Sequence, residues 1–378
     1  MYISRYLDLN RSLKNKSLFL MGPRQTGKSW LINKNLSKYR VYDLLDSEVY
    51  LTLSRNPKRL EEELKPNEKI IIIDEIQKIP SLLNEVHRLI EKYDIHFLLT
   101  GSSARKLRQG GTNLLGGRAR SKHLHPFIFW ELKEHFDLLK ALNYGLIPSI
   151  YFSDEPEEDL KAYAGDYLKE EIAAEGLTRN VSAFSRFLEV AALCNGLMLN
   201  YSKISNDAQV PCSTVQEYFH ILRDTLIGFN VPAWKKSLKR KSISTSKFYF
   251  FDVGIVRYLQ NRSLLKNGSP EFGNAFETYF AHELKTFVDY TGLKQLSYWR
   301  SKSGYEVDFI IDDTIAIEVK AKKNISLRDL RGMMALKEEN KIKHYVVVSL
   351  EKRSRQINGI HILPWDEFLQ GLWTGSFS

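Results

Sequence analysis

The first third of the chain sets short, wholly apolar runs between longer mixed stretches. "SLFLM" (Ser17–Met21), the four isoleucines of "KIIIIDEIQ" (Lys69–Gln77) and the start of "HFLLTGSS" (His96–Ser103) are apolar on both faces. Such runs predict central strands of a parallel sheet, buried on each side. "SWLINKNL" (Ser29–Leu36) reads as a helix. The last third changes period. "YEVDFII" and "IAIEVKA" alternate every second residue, which predicts two strands of a hairpin. Before them, "GNAFETYFAHELKTF" (Gly273–Phe287) puts Phe276, Phe280, Leu284 and Phe287 on one helical face, with Glu277 beside it. The middle is helical in "YAGDYLKEEIAAEGL" (Tyr163–Leu177) and "FSRFLEVAALCNG", after a Gly, Pro and acid-rich stretch, Gly145–Leu160, that reads as a linker.

Between the first strand and the first helix lies "GPRQTGKSW": Gly22, Pro23, Arg24, Gln25, Thr26, Gly27, Lys28, Ser29 and Trp30. Strand, glycine-rich loop and helix, with the spacing G-x-x-x-x-G-K-S, is the context of a phosphate-binding loop. Its glycines let successive N–H groups turn inward, and the helix N-terminus adds its positive end. Lys28 is placed to reach the β- and γ-phosphates of ATP, and Ser29 to ligate Mg2+. Asp74 and Glu75 emerge at the carboxyl end of the isoleucine strand, the edge where open α/β sheets bind ligands. Asp74 is expected to hold magnesium, directly or through water, and Glu75 to polarise the attacking water. Thr100 and Ser102 are both candidates to touch the γ-phosphate or the water. In "LLGGRARSKHLHPF" (Leu114–Phe127), Arg118 and Arg120 follow two glycines, and Arg118 is a candidate catalytic or sensor arginine.

"GPRQTGKS", "IIIIDEIQ", "LLTGSS" and "GGRARSKHLHPF", in this order, resemble AAA-type ATPases. The resemblance is to a bacterial and archaeal branch with a C-terminal nuclease-like domain of unassigned function, and it extends almost end to end. It implies an α/β fold: an AAA-type P-loop NTPase parallel sheet, then a winged helix-turn-helix, then a small α/β restriction-endonuclease-like domain. The corresponding divisions are 1–150, 151–255 and 256–378.

In "NYSKISNDAQVPCSTVQEYFHILRDT" (Asn200–Thr225), Ser202 can cap a short helix from Lys203 to Ala208. Val210, Pro211 and Cys212 form a break, and Ser213 or Thr214 caps a second helix. Thr214, Gln216 and Glu217 are then positions for a DNA groove. The following "IGFNVPAWKKSLKRKSISTSKFYFFD" reads as two strands around a basic tip holding Lys235, Lys236, Lys239, Arg240 and Lys241. Phosphate contacts from such a tip give salt-sensitive affinity for DNA.

The hairpin carries Asp308 on one strand, and Glu318 and Lys320 on the next. A three-residue connection, Asp312–Asp313–Thr314, sets 308 opposite 318 and brings all three polar groups to one face; a two-residue turn would not. Asp-x9-Glu-x-Lys with an upstream helical glutamate resembles the PD-(D/E)xK nuclease superfamily. Asp308 and Glu318 then bind Mg2+ or Mn2+ with help from the Val319 carbonyl, Glu277 adds a carboxylate, and Lys320 orients or activates water.

Composition adds less. The chain has 378 residues, 43% hydrophobic and 26% charged, enough for two or three domains. The excess of 55 Lys and Arg over 45 Asp and Glu gives +10, which favours polyanionic partners. Cys194 and Cys212 fit neither a zinc knuckle nor a disulfide framework. No apolar run suits a bilayer, and the N-terminal stretch lacks a secretion signal, so the expected location is the cytoplasm, with no membrane partner. The expected function is ATP hydrolysis with DNA contact and a candidate metal-dependent deoxyribonuclease. The alternative is a nucleotide-gated switch that binds DNA or protein without cleaving. Self-association and a protein partner both stay open.

Overall fold

A computed structural model describes residues 3–103, 115–167, 180–266 and 268–377. Contacts divide the chain into two units, Met1–Pro126 with Leu222–Ile227, and Phe127–Ile221 with Gly228–Ser378. Part of the helical pattern at Tyr163–Leu177 lies outside the described residues.

The first unit is built on a five-stranded parallel sheet: β1 (Ser17–Met21), β2 (Arg40–Asp43), β3 (Ile70–Asp74), β4 (His96–Gly101) and β5 (Ala119–His123). The spatial order is β2-β3-β4-β1-β5, and every pairing is parallel. Every residue of β1 and β3 is buried, as their unbroken apolar character requires. The helix Leu82–Tyr93 lays Leu82, Leu83, Val86 and Leu89 on the core holding Ile71, Ile73, Phe97 and Leu99. Because the strands run one way, Met21, Asp74 and Gly101 all end at one edge. The helix after β1 spans Lys28–Asn35, starting one residue before the position its pattern suggests, with Gly27 as N-cap.

The second unit opens with Phe127. The stretch Gly145–Leu160 is not a linker. It forms the helices Pro148–Tyr151 and Pro156–Leu160, and Leu146, Ile147, Ile150, Tyr151 and Leu160 are buried. These apolar residues on either side of the prolines give the segment a core to join.

Helices Val181–Leu193, Tyr201–Ala208 and Cys212–Asp224 follow, then an antiparallel ribbon of β6 (Gly228–Val231) and β7 (Lys247–Phe250). Asn200, not Ser202, caps the second of these helices; its Oδ1 accepts the Lys203 N–H at 3.0 Å. The basic segment between β6 and β7 is not a free tip. It runs along a neighbouring strand, where Trp234 N donates to Tyr298 O at 2.6 Å and Ile243 N to Arg300 O at 2.9 Å. The Glu339 carboxylate accepts from Ser237 Oγ and Leu238 N, both at 2.7 Å, and from the Lys239 and Arg240 amides. Lys236 pairs with Asp313, and Arg240 with Glu338. Lys235, Lys239 and Lys241 remain exposed.

The last layer is a six-stranded mixed sheet of β8 (Leu296–Arg300), β9 (Glu306–Ile311), β10 (Ile315–Lys320), β11 (His344–Ser349), β12 (Arg355–Ile357) and β13 (Ile360–Pro364), ordered β12-β13-β11-β10-β9-β8. The connection from β9 to β10 is the three residues Asp312–Thr314, with Ile311 opposite Ile315 and Phe309 opposite Ile317. The helix Phe272–Thr291 packs on this sheet through an almost continuous buried face that includes Phe276, Phe280 and Leu284.

Candidate functional site

The loop after β1 is clamped on several sides. The Arg5 guanidinium donates to Thr26 O at 2.7 Å and to His125 O at 2.6 Å. Thr26 Oγ1 donates to Pro23 O at 2.8 Å, tying the loop across its own width. A Cβ at Gly22 would stand 2.4 Å from Leu124 O, so no other residue fits there. Gly27 has a φ of 92°, in the left-handed region that favours glycine. Lys28 is buried, and its Nζ donates to Gly22 O at 2.7 Å and Pro23 O at 3.1 Å. Its ammonium thus caps the carbonyls that border the cradle. Arg24, Gln25, Ser29 and Trp30 are exposed.

Beside the loop, Ser29 Oγ donates to Asp74 Oδ2 at 2.7 Å. Thr100 Oγ1 donates to Asp74 Oδ1 and accepts the Glu75 N–H at 3.1 Å. Of the two candidate hydroxyls, Thr100 therefore meets the acidic pair, whereas Ser102 Oγ accepts from Gln77 Nε2 at 3.2 Å. Glu75 is buried with a φ of 59°, and its Oε2 accepts from the same Gln77 amide. Gln77 is the residue that sequence reasoning passed over. Its only signal was its place two residues beyond Glu75. Arg118 stands apart from this group, ion-paired with Glu91 of the helix Leu82–Tyr93.

A hydroxyl and a carboxylate side by side form a hard oxygen donor set, which suits Mg2+. Ser29 and Asp74 fit that ion. The parallel sheet, the glycine-rich loop closing on a helix, the buried lysine and the Ser–Asp pair define a P-loop domain.

In the second unit, Asp308 Oδ2 accepts the Val319 N–H at 2.8 Å. Lys320 Nζ lies 2.7 Å from Glu318 Oε1 and 4.0 Å from Asp308 Oδ2. Asp308, Glu318 and Lys320 thus come together as the hairpin register requires. Glu277 stands near this group, its Oε1 accepting from Tyr249 Oη at 2.6 Å and lying 3.7 Å from Lys247 Nζ. Among the described residues, no group of three His, Cys, Asp or Glu side chains is placed to hold a metal ion. Lys247 also lies 2.6 Å from Glu306 Oε1. The β7 residues Lys247 and Tyr249 were missed because nothing in their own strand signals carboxylates supplied from a helix and another sheet.

Burial, reinforced by Asp308, pushes the Glu318 carboxyl up to about 8. Burial and Asp308 also raise Glu277, against the pull of Lys247. Burial pulls Lys320 and Lys247 down, but the surrounding carboxylates outweigh it and hold both above the usual lysine value. Glu318 Oε2 is buried without a hydrogen-bond partner. An orphaned carboxylate oxygen beside Asp308 is a donor that a divalent cation would satisfy.

Comparisons agree with the first assignment. Residues 14–133 match the AAA domain family, which makes the P-loop domain one of AAA type. Residues 135–266 match a domain of unknown function (DUF8612), and residues 272–368 another (DUF4143). A search of curated proteins found no match. Among solved structures, the Aeropyrum pernix ORC1 protein in complex with DNA is similar at 14% identity and a TM-score of 0.25, over 66% of this chain and 87% of that one. A STAND protein with a tetratricopeptide repeat sensor from Pyrococcus horikoshii is similar at 16% identity and a TM-score of 0.22, over 75% of this chain and 47% of that one. No helix among the described residues is long and apolar enough to cross a membrane.

Proposed function

We propose that the protein binds and hydrolyses ATP, and that the nucleotide state gates DNA contact by the rest of the chain. The observation that carries this reading is the junction of Lys28, Ser29, Asp74 and Thr100 at the carboxyl edge of the sheet. On ATP binding, the Lys28 ammonium exchanges the Gly22 and Pro23 carbonyls for phosphate oxygens, while the loop amides and the helix N-terminus hold the phosphate chain. Ser29 and Asp74 would hold Mg2+, which when bound neutralises phosphate charge. Glu75, released from Gln77, accepts the proton of the attacking water, and Thr100 holds the acidic pair in place. Lys28→Ala should abolish ATP binding or turnover in purified protein; hydrolysis at the parent rate would end the assignment.

The C-terminal sheet supports a second activity, metal-dependent cleavage of DNA. Asp308 and Glu318 would hold Mg2+ or Mn2+, which when bound polarises a phosphodiester. Lys320, beside both carboxylates, orients the water. A non-cleaving switch is the rival reading, and the two ammoniums favour it, because Lys247 and Lys320 already neutralise much of the carboxylate charge. Incubation with single- and double-stranded DNA and either metal separates the two. Scission lost in Glu318→Ala supports cleavage, and ATP-dependent retention without scission supports the switch. The winged-helix reading of residues 200–250 belongs to the same proposal, with Lys235, Lys239 and Lys241 as its exposed cations. Neutralising them should flatten the salt dependence of DNA affinity by up to one phosphate contact each.

A further inference from the structure

Two ammoniums meet the carboxylates of the C-terminal sheet, and they differ in what surrounds them. Lys320 is the last residue of β10, with its side chain 28% exposed and Nζ 2.7 Å from Glu318 Oε1 and 4.0 Å from Asp308 Oδ2. It can turn outward to water and release both carboxylates. Glu318 Oε2 is buried and has no hydrogen-bond partner, so this position still has an oxygen to offer a cation.

Lys247 has no such freedom. Its side chain is 5% exposed, on a strand paired to β6, and its Nζ stands 5.2 Å from the centre of the Tyr298 ring. Nζ lies 2.6 Å from Glu306 Oε1 and 3.7 Å from Glu277 Oε1. Glu306 and Asp308 are two apart on β9 and share a face, and the charge of Asp308 also acts on Lys247. Other donors complete the arrangement: Tyr249 Oη donates to Glu277 Oε1 at 2.6 Å, and Arg300 lies 3.0 Å from Glu306 Oε2. Carboxylate oxygens converging from a helix and a strand suit a hard divalent cation as well as an ammonium. A lysine buried among them fills that place with a charge that burial keeps there.

We propose that Lys247 stands in for a second metal ion, so that the C-terminal site takes a single divalent cation, at Asp308 and Glu318. The inference rests on the metal reading of that pair, and it holds whether or not the loaded site cleaves DNA. The test uses the full chain carrying Asp74→Asn, without nucleotide, so that the position beside the loop after β1 is not counted. Bound Mn2+ is counted from the loss of the free ion's electron paramagnetic resonance signal. The parent in that background should bind one Mn2+ that Glu318→Ala loses, and Lys247→Met should bind two. If Lys247→Met is unfolded without metal, Mn2+ should fold it, read by circular dichroism, because the ion takes the ammonium's place. Two ions lost from the parent by Glu318→Ala, a single ion in folded Lys247→Met, or an unfolded Lys247→Met that Mn2+ leaves unfolded would overturn the proposal. No binding in the parent, or binding that Glu318→Ala leaves unchanged, would remove the metal reading itself and this inference with it.

Discussion

Replacing Glu283 by glutamine isolates one buried carboxyl whose charge state the fold controls. Glu283 is fully buried on the helix Phe272–Thr291, and its Oε1 accepts from Phe129 N at 2.6 Å and Tyr279 Oη at 2.9 Å. Burial pushes this carboxyl up to about 8, although both donors pull it down. In the unfolded chain a glutamate titrates near about 4.3. The folded state therefore keeps a proton that the unfolded state has released, throughout the interval between those values. The sign follows: stability from this group is full below about pH 4.3 and is lost as pH rises towards the folded value. The slope is about 1.4 kcal/mol per pH unit, so the parent loses roughly 2–3 kcal/mol between pH 6 and 8 through Glu283 alone. Glutamine keeps an acceptor for Phe129 and Tyr279 and does not titrate. In urea unfolding followed by tryptophan fluorescence, Glu283→Gln should gain on the parent by that amount from pH 6 to 8, and the difference should level off above pH 9. A difference between the two proteins that stays flat from pH 6 to 9 would refute the reasoning.

Three further outcomes are expected. Glu75→Gln should retain ATP affinity, measured with a fluorescent analogue, while single-turnover hydrolysis falls by about 10²–10⁴, the range for a lost general base. Glu339→Ala removes the carboxylate that gathers Ser237 and the amides of residues 238–240, so trypsin should cut at Lys239–Lys241 at least tenfold faster than in the parent. Lys247→Met should cost about 3 kcal/mol in urea unfolding by leaving Glu277 and Glu306 without their ammonium, and adding Glu277→Gln should recover part of it.

The phosphate loop and the acidic strand end were legible because each is local. A glycine spacing fixes a turn, and an apolar run fixes a buried strand, without reference to distant residues. The hairpin register was legible for the same reason: only a three-residue connection brings Asp308, Glu318 and Lys320 to one face. Partnerships across sequence distance were not. The basic run at 235–241 reads as a free tip until Glu339, about a hundred residues on, supplies the carboxylate that holds its amides. Nothing near Glu277 in the sequence announces Lys247 and Tyr249, which come to it from the ribbon. The pairing of Arg118, a candidate catalytic or sensor arginine, with Glu91 is equally invisible in the sequence. The segment Gly145–Leu160 misled because prolines and acids mark turns equally well within a core and between domains.

The most direct measurement is a crystal structure with magnesium and a non-hydrolysable ATP analogue. The triphosphate should lie against the amides of residues 22–29, with Lys28 Nζ moved from the Gly22 and Pro23 carbonyls to phosphate oxygens and the metal on Ser29 and beside Asp74. An analogue bound elsewhere, or bound there with Lys28 still on those carbonyls, would contradict the account.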